Sequence, residues 1–223
     1  MFTGIVKGRG RVVQIRQQTA LSTLQIELPH GSTDDLEIGA SISIDGVCLT
    51  VTSIEQNSLV TFDVMAETLR LTTLGSLIVG SEVNIERSAR DGAEIGGHPL
   101  SGHIDCVCVI ERITKPENNL VLTFKVPEPF IRYIFSKGYV GLNGTSLTAS
   151  NVNKNGSTFD VWFIPETIRV TTFGAKQVGD RINLEIERGA QVTVDTIRDY
   201  LDEKFGALLP KLRSLLGDNL LDD

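Results

Sequence analysis

The chain has 223 residues and a formal net charge of −7, with 41% hydrophobic and 22% charged residues. This composition is typical of a globular chain with a sizeable core, and the acidic balance argues against nucleic acid or an anionic membrane as the main partner. No run of about 18 apolar residues is present, so we expect no segment that crosses a membrane. Residues 1–6 have neither a basic nor an apolar stretch, so we expect no secretory signal and predict a cytoplasmic protein.

The first half of the chain reads as β-structure. Its short alternating runs are rich in Val, Ile, Thr and Phe, and they cover residues 11–15, 23–28, 40–44, 48–54, 59–64 and 82–85. Asp45-Gly46 between two of these runs is a type I′ hairpin signal. Closing six short antiparallel strands into a barrel removes exposed sheet edges, so we predict a small barrel.

The second half repeats the first. Nine residues from Glu67, "ETLRLTTLG", match "ETIRVTTFG" from Glu166 at six positions. Two further segment pairs agree in register, "IDGVCLTV" with "LNGTSLTA" and "VGSEVNIE" with "VGDRINLE", and Gly4 aligns with Gly102. We therefore predict an all-β fold of two tandem, similar, six-stranded antiparallel Greek-key-like barrels, at residues 1–97 and 98–188, followed by a C-terminal α-helix in a tail at 189–223.

The tail has the pattern of an amphipathic helix that ends near Gly206. Its apolar positions are Val194, Ile197, Leu201 and Phe205. Because two complete barrels leave little for this helix to cover, we expect its apolar face to meet copies of itself. A helix folded back on its own barrel is the alternative. A second apolar stretch at residues 208–221 is interrupted by Pro210 and Gly217 and has no assigned structure.

The three cysteines favour free thiols in a reducing compartment, because an odd number does not suit a disulfide framework. Cys106 and Cys108 form a C-x-C pair that a strand would place on one face. Only Cys48, His98 and His103 could complete a zinc site with that pair, and no second C-x-C exists in the sequence. We therefore predict no bound metal.

Six segments together resemble the riboflavin synthase family over nearly the whole chain. They are "MFTGIV", "GVCLTV", "MAETLRLTTLG", "GGHPLSGHID", "KGYVGLNGTSLT" and "IPETIRVTTFG". The resemblance implies a transferase that dismutates two molecules of 6,7-dimethyl-8-ribityllumazine to riboflavin and 5-amino-6-(D-ribitylamino)uracil, without a cofactor. One lumazine donates a four-carbon unit to the other, so the repeat would supply two similar surfaces for two identical substrates.

The resemblance also implies a homotrimer with the tail helix at its centre. Each active site would lie between subunits, with the first barrel of one subunit facing the second barrel of its neighbour. The independent expectation that the tail helix meets copies of itself agrees with this arrangement. Association with lumazine synthase, the preceding enzyme, is left open by the sequence.

By resemblance, each half contributes one ligand surface. The first comprises Gly4, Ile5, Val6, Cys48, Leu49, Thr50, Asp63, Val64, Met65, Ala66, Glu67 and Thr68. The second comprises Gly102, His103, Ile104, Lys137, Ser146, Leu147, Thr148, Phe163, Ile164, Pro165, Glu166, Thr167 and Ile168. The candidates for catalytic proton transfer are Ser41, Cys48, His103, Ser146 and Thr148. Which surface binds the donor lumazine is left open.

Elementary chemistry supports such surfaces, because a ribityl chain and a pteridine need several neutral hydrogen-bonding groups and an apolar slot. Alternation in a strand would point Cys48 and Thr50 one way and Leu49 the other. Cys48 could equally be an inert buried thiol. Glu67 and Glu166 fit either general bases or structural hydrogen bonds to the backbone, and Lys137 fits a simple turn lysine.

Two positions depart from the family pattern, which has Asp where this chain has Asn143 and Glu187. A neutral amide cannot act as a base, so Asn143 could lower activity, although Asn-Gly is also a favoured hairpin pair. A rival hypothesis is an antenna protein that binds lumazine without turnover, since such proteins keep the first surface and lose the second. Both "SGH" at Ser101 and "SLT" at Ser146 are intact here, which favours the enzyme.

Overall fold

The computed structural model describes residues 1–116, 119–206 and 208. It divides into two compact units, Met1–Glu187 and Arg188–Asp223. The first unit contains the strands of both predicted barrels, and the second contains the predicted tail helix. Most of the unassigned apolar stretch at residues 208–221 lies outside the described residues.

The first half of the chain forms a closed barrel of six antiparallel strands in the order β1-β2-β5-β4-β3-β6. All six predicted strands are confirmed, with ends that differ by a few residues. The strands are β1 (Gly8–Gln17), β2 (Leu21–Glu27), β3 (Ser41–Ile44), β4 (Val47–Glu55), β5 (Leu59–Met65) and β6 (Glu82–Arg87). Because β6 returns to lie beside β3, strands β3 to β6 form a Greek key.

Alternating side chains close the interior of this barrel. Strand β2 shows the strict two-residue period, with every second residue buried. The fully buried residues come from all six strands and include Val12, Leu24, Ile26, Ile42, Ile44, Val51, Phe62 and Ile85. The buried residues of this core all come from the first half of the chain, and Ile104 of the second half packs against them.

The second half forms a curled sheet of seven strands in the order β10-β9-β13-β7-β8-β12-β11. These are β7 (Cys106–Thr114), β8 (Leu120–Lys125), β9 (Tyr139–Leu142), β10 (Thr145–Thr148), β11 (Ser150–Asn153), β12 (Thr158–Phe163) and β13 (Arg181–Ile186). The order matches that of the first barrel, with β10 and β11 together in the place of β4. The two ends of the sheet are therefore consecutive pieces of one chain segment.

Seven strands instead of the predicted six arise from a break at Ala149. The Ala149 N–H donates to the Gly138 carbonyl at 2.9 Å, as Val51 does to Ala40 at the equivalent place in β4. Asn151 then takes a left-handed φ of 46°, which interrupts the ladder with β12. The first barrel absorbs a register shift near the same point without breaking its strand.

Among the described residues, four α-helices accompany the strands: α1 (Ala66–Leu71), α2 (Glu128–Ile131), α3 (Pro165–Val170) and α4 (Arg188–Phe205). The repeated nine-residue segment forms α1 and α3 and the short turns after them. In both copies a threonine hydroxyl, of Thr72 or Thr171, donates to a carbonyl in the preceding turn. Helix α4 confirms the predicted tail helix, and no helix within the described ranges is long and apolar enough to span a membrane.

Candidate functional site

The two copies meet back to back at their hairpins. Asp45 and Asn143 have φ values of 46° and 42°, and the glycines that follow are also left-handed, so both predicted type I′ turns are confirmed. A Cβ on Gly46 would lie 2.6 Å from the backbone nitrogen of Gly144, and a Cβ on Gly144 would lie 2.9 Å from that of Gly46. Only glycine allows this approach of the two backbones.

Two buried asparagines clamp the copies together across this contact. The Asn84 amide donates to the Asn143 carbonyl at 3.0 Å and accepts from the Thr172 N–H at 2.8 Å. Asn183 makes the equivalent pair of bonds in the other direction: its amide donates to the Asp45 carbonyl and accepts from the Thr73 N–H, both at 2.8 Å. Each side chain thereby satisfies backbone groups of the other copy, which fixes the relative position of the two barrels within this unit.

The opening segment of each copy lies against the strand end of the other copy. The Ser146 N–H donates to the Gly4 carbonyl at 2.8 Å, and the Cys48 N–H donates to the Gly102 carbonyl at 2.9 Å. The resemblance had grouped Gly4 with Cys48 and Gly102 with Ser146. This exchange was not predicted, because a one-dimensional repeat carries no information about which copy a segment packs against.

A buried carboxylate holds each exchanged segment. Glu86 accepts hydrogen bonds from the N–H and hydroxyl of Thr3, both at 2.6 Å, and from the Gly4 N–H at 3.0 Å. Glu185 binds Ser101 and its neighbour in the same way, at 2.6, 2.8 and 3.0 Å. Burial raises the pKa of Glu86, and the hydrogen bonds from Thr3 and Gly4 oppose this rise.

The predicted alternation at the strand ends is confirmed. In β4, Cys48 is partly buried and Thr50 is exposed, whereas Leu49 points into the barrel core. Strand β10 repeats the pattern, with Ser146 partly buried and Thr148 exposed. Each copy therefore presents two small polar side chains on one outward face, which are a thiol and a hydroxyl in the first copy and two hydroxyls in the second.

The strand beside each of these faces differs between the copies. Ser41 of β3 lies directly opposite Thr50, so their side chains share one face of the sheet. At the equivalent place in β9, Tyr139 lies opposite Thr148. The second surface thus has an exposed aromatic ring where the first has a small hydroxyl.

Sequence reasoning missed His98, which it considered only as a zinc ligand. Its Nδ1 lies 2.6 Å from the Ser146 hydroxyl oxygen. Its ring stacks on Tyr139 with centroids 5.2 Å apart and planes inclined by 17°. Burial lowers the pKa of His98, and the charge of Glu187 opposes this. The repeat gave no signal for this residue, and only its place inside "GGHPLSGHID" pointed to it.

The remaining predicted ligand residues divide by exposure. Those exposed are Ile5, Asp63, Met65, Ala66, Glu67, His103, Lys137, Ile164, Pro165 and Glu166. Those partly buried are Thr68, Ile104, Thr167 and Ile168. Side chains buried in the barrels are Val6, Leu49, Val64, Leu147 and Phe163, so these residues can offer a ligand only their backbone groups.

The carboxylates of Glu67 and Glu166 form ion pairs with arginine side chains instead of hydrogen bonds to the backbone. The Arg70 guanidinium donates two hydrogen bonds to Glu67, at 2.9 and 2.6 Å, and Arg169 does the same for Glu166 at 2.8 and 2.6 Å. These hydrogen bonds lower the pKa of both carboxyls, which makes them weaker bases. The backbone interpretation is therefore wrong, and the ion pairs lie on the solvent side of α1 and α3.

Lys137 lies in a turn, and the C-x-C cysteines lie in the second core. Lys137 has a left-handed φ of 66°, and its N–H donates to the Ala149 carbonyl at 2.8 Å, so it is a turn residue with an exposed side chain. Cys106 and Cys108 point into the second core, where burial raises the pKa of Cys106 to about 12. Among the residues that the structure describes, no cluster of His, Cys, Asp and Glu could hold a metal ion.

Asn143 and Asp45 make equivalent hydrogen bonds in the two copies. Its Oδ1 accepts from the Asn183 N–H at 2.8 Å, as Asp45 Oδ1 accepts from the Asn84 N–H at 2.8 Å. The Asn143 amide nitrogen is buried and has no partner among the described residues. Burial raises the pKa of Asp45 to about 6. The carbonyl oxygen alone therefore completes the hairpin at Asn143.

Comparisons with known proteins agree with this duplicated site. The family model described as the lumazine binding domain matches twice, at residues 3–88 and 101–187. Riboflavin synthase of Escherichia coli (strain K12) is 44% identical over 93% of this chain and 97% of that relative. Riboflavin synthase of Chlamydia muridarum is 39% identical over 92% of this chain and all of that relative. The crystal structure of LumP complexed with riboflavin is 28% identical and superposes with a TM-score of 0.77, covering 84% of this chain and 100% of LumP. The chain belongs to the riboflavin synthase family.

Proposed function

We propose that this protein is a riboflavin synthase that converts two molecules of 6,7-dimethyl-8-ribityllumazine to riboflavin and 5-amino-6-(D-ribitylamino)uracil. The observation that carries the proposal is that each copy has an outward polar face on the equivalent strand, β4 in the first copy and β10 in the second. Those faces are Cys48 with Thr50 and Ser146 with Thr148. A dismutation needs two surfaces for one kind of ligand, and each face offers neutral hydrogen-bonding groups for a ribityl chain or a pteridine.

Unequal surfaces suit a reaction in which one lumazine donates and the other accepts the four-carbon unit. The chain differs between copies at the equivalent positions Cys48 and Ser146, and at Ser41 and Tyr139. Holding two rings face to face supplies most of the rate in this scheme. Proton removal from a ring methyl and its return elsewhere add about 10²–10⁴-fold, through Ser41, Cys48, His103, Ser146 and Thr148.

The active form in this proposal is a homotrimer whose sites lie between subunits. Met65 and Ile164 support it, because both hydrophobic side chains stand at the end of a polar face with exposures of 70% and 61%. A flat ring bound there needs a second wall, which the opposite barrel of a neighbouring subunit would provide. We place the enzyme in the cytoplasm, and an association with lumazine synthase belongs to the same proposal.

Incubation of the purified protein with the lumazine tests the function directly. We expect riboflavin absorbance to grow with multiple turnovers, at one riboflavin for every two lumazines consumed. Activity should survive exhaustive chelation, since the proposed chemistry needs only positioned rings and protein hydroxyls. Activity that is lost on chelation and returns with zinc would contradict the cofactor-free mechanism.

A binding protein without turnover is the second candidate. LumP complexed with riboflavin and LumP complexed with 6,7-dimethyl-8-ribityllumazine both resemble this chain, the second with a TM-score of 0.75 and 27% identity. A protein of this kind would form a stable one-to-one fluorescent complex with the lumazine and release no riboflavin. The intact second face at Ser146 and Thr148 supports the enzyme instead.

A further inference from the structure

The surroundings of His98 leave one of its ring nitrogens unused. Nδ1 lies 2.6 Å from Ser146 Oγ, whereas Nε2 is buried and has no hydrogen-bond partner in the described part of the chain. The side chain is only 4% exposed, and Tyr139 covers one face of the ring. Nε2 itself has almost no surface exposed to solvent, so this nitrogen belongs to the interior of the protein.

The unused nitrogen decides where the imidazole hydrogen lies. Burial lowers the pKa of His98, so the ring is neutral at neutral pH and carries a single N–H. A hydrogen on Nε2 would be a buried donor without an acceptor, which proteins rarely tolerate, whereas an unpaired acceptor is tolerated more often. The favoured tautomer therefore has its hydrogen on Nδ1, and the N–H points at Ser146 Oγ.

We propose that His98 is a positioning residue whose Nδ1–H donates to Ser146 Oγ, so that the Ser146 hydroxyl hydrogen is left for an acceptor atom of a bound pteridine. The inference rests on the proposed function, which supplies the pteridine. In the opposite tautomer the serine would donate to the histidine and could act only as an acceptor toward the ligand. The direction of one hydrogen bond thus separates a donor serine from a base-activated nucleophile.

The neighbouring residues fix the position of Ser146. Its N–H is engaged by the Gly4 carbonyl at 2.8 Å. A Cβ on Gly97 would lie 2.7 Å from the serine Cβ, so the chain packs closely against Ser146. With Nδ1–H on one lone pair, the hydroxyl hydrogen is free to point toward the outward face that Ser146 shares with the exposed Thr148. At the equivalent place in the first copy stands Cys48, whose S–H is a weaker donor.

Nitrogen-15 NMR tests the tautomer without any substrate. Protein labelled with ¹⁵N-histidine gives three sets of signals, from His30, His98 and His103. The set that is lost in His98→Phe belongs to His98. We expect a protonated Nδ1 and an unprotonated Nε2 at neutral pH and above. A hydrogen on Nε2, or an imidazolium, would overturn the proposal whatever the activity of the enzyme.

Kinetics then test whether His98 acts through Ser146. His98→Phe keeps an aromatic ring against Tyr139 and removes the donor, and we expect kcat/KM to fall about tenfold, as for Ser146→Ala. The double variant should fall no further than Ser146→Ala alone, because the two residues serve one hydrogen bond. His98→Asn, whose amide nitrogen can reach the place of Nδ1, should recover part of the loss.

The matched control is His30→Gln, since His30 is exposed and outside both surfaces. It should leave kcat/KM and the His98 spectrum unchanged. A double variant about a hundredfold down, the product of the two single effects, would show that His98 does not act through Ser146. If the wild-type protein makes no riboflavin, the proposed function fails, and the NMR result still decides the tautomer.

Discussion

At the scale of single residues, the equivalent positions Asp45 and Asn143 form a natural pair for comparison. Both are buried in type I′ hairpins, and both accept a backbone hydrogen bond of 2.8 Å from an asparagine of their own copy. One is ionisable and the other is not. The structural role therefore needs only a carbonyl oxygen, and the carboxylate at Asp45 adds a cost that depends on pH.

Asp45→Asn should stabilise the protein at high pH. Burial raises the Asp45 pKa from 3.8 to about 6, so the folded state holds the protonated carboxyl more strongly than the unfolded state does. The resulting contribution to stability is fully present below the unfolded pKa and is lost as pH rises through about 6. The variant should gain up to about 3 kcal/mol of unfolding free energy at about pH 8 relative to about pH 4. Urea unfolding at both pH values measures the gain, and an equal effect at both would contradict it.

Asn143→Asp is the reverse test, and it addresses the departure from the family pattern. Because Asn143 Oδ1 is occupied by the Asn183 N–H, we expect no new limb in the pH profile of turnover. The new buried carboxylate should instead destabilise the protein above about pH 6, as Asp45 does. A higher turnover or an added pH limb would show that a carboxylate here takes part in proton transfer.

At the scale of elements, the exchanged opening segments depend on glycines with left-handed backbones. Gly102 has a φ of 81°, and a Cβ there would lie 2.5 Å from the Cys48 Cβ. Gly39 has a similar φ of 90°, but a Cβ added there would have no atom within 4 Å. The two positions share the backbone strain of an added side chain and differ only in the close contact.

Gly102→Ala should therefore cost more than Gly39→Ala. Both variants pay about 1–2 kcal/mol for a left-handed alanine. Gly102→Ala should lose a further amount of about 1–3 kcal/mol because the added methyl overpacks against Cys48. Urea unfolding gives the difference, and flavin fluorescence quenching should show weaker binding for Gly102→Ala alone. Equal stabilities would mean that the opening segment does not press on the strand.

Much of this element-level structure could be predicted from the sequence. The alternating runs gave all six strands of the first barrel, and Asp45-Gly46 and Asn143-Gly144 gave both hairpins, because these signals are local. The break at Ala149 was missed, since asparagine tolerates a left-handed backbone but does not require one, so Asn151 alone does not predict the break. The pairing of Gly4 with Ser146, and the contact of His98 with Ser146, depend on how the copies dock, which periodicity does not encode.

At the scale of the whole molecule, helix α4 is the candidate for assembly. Its apolar side chains are about half exposed, with Ile197 at 54%, Leu201 at 46% and Phe205 at 50%. Truncation after Gln191 should convert a trimer to monomers with very low activity, because each proposed site needs two subunits. Sedimentation and a turnover assay measure both effects. A truncated monomer with full turnover would mean that the sites are not shared.

The fragment of residues 1–97 tests whether the first barrel is an independent domain. Its core is closed within β1 to β6, so we expect it to fold alone and to bind riboflavin or the lumazine through the Cys48 face, with little turnover. Two fragments can pair across a two-fold axis, with Asn84 of each copy taking the role of Asn183. A dispersed NMR spectrum with ligand-dependent shifts is expected. A collapsed spectrum would contradict the domain boundary at residue 97.

The mirror-image clamp of Asn84 and Asn183 also bears on how such a protein can change over evolutionary time. In a dimer of separate identical chains, a single codon change alters both halves of every site at once. Fusion of two copies into one gene removes that restriction, because each half then mutates on its own while the clamp preserves their docking. Serine in one half and cysteine in the other, at Ser146 and Cys48, is a difference that a dimer of identical chains could not carry.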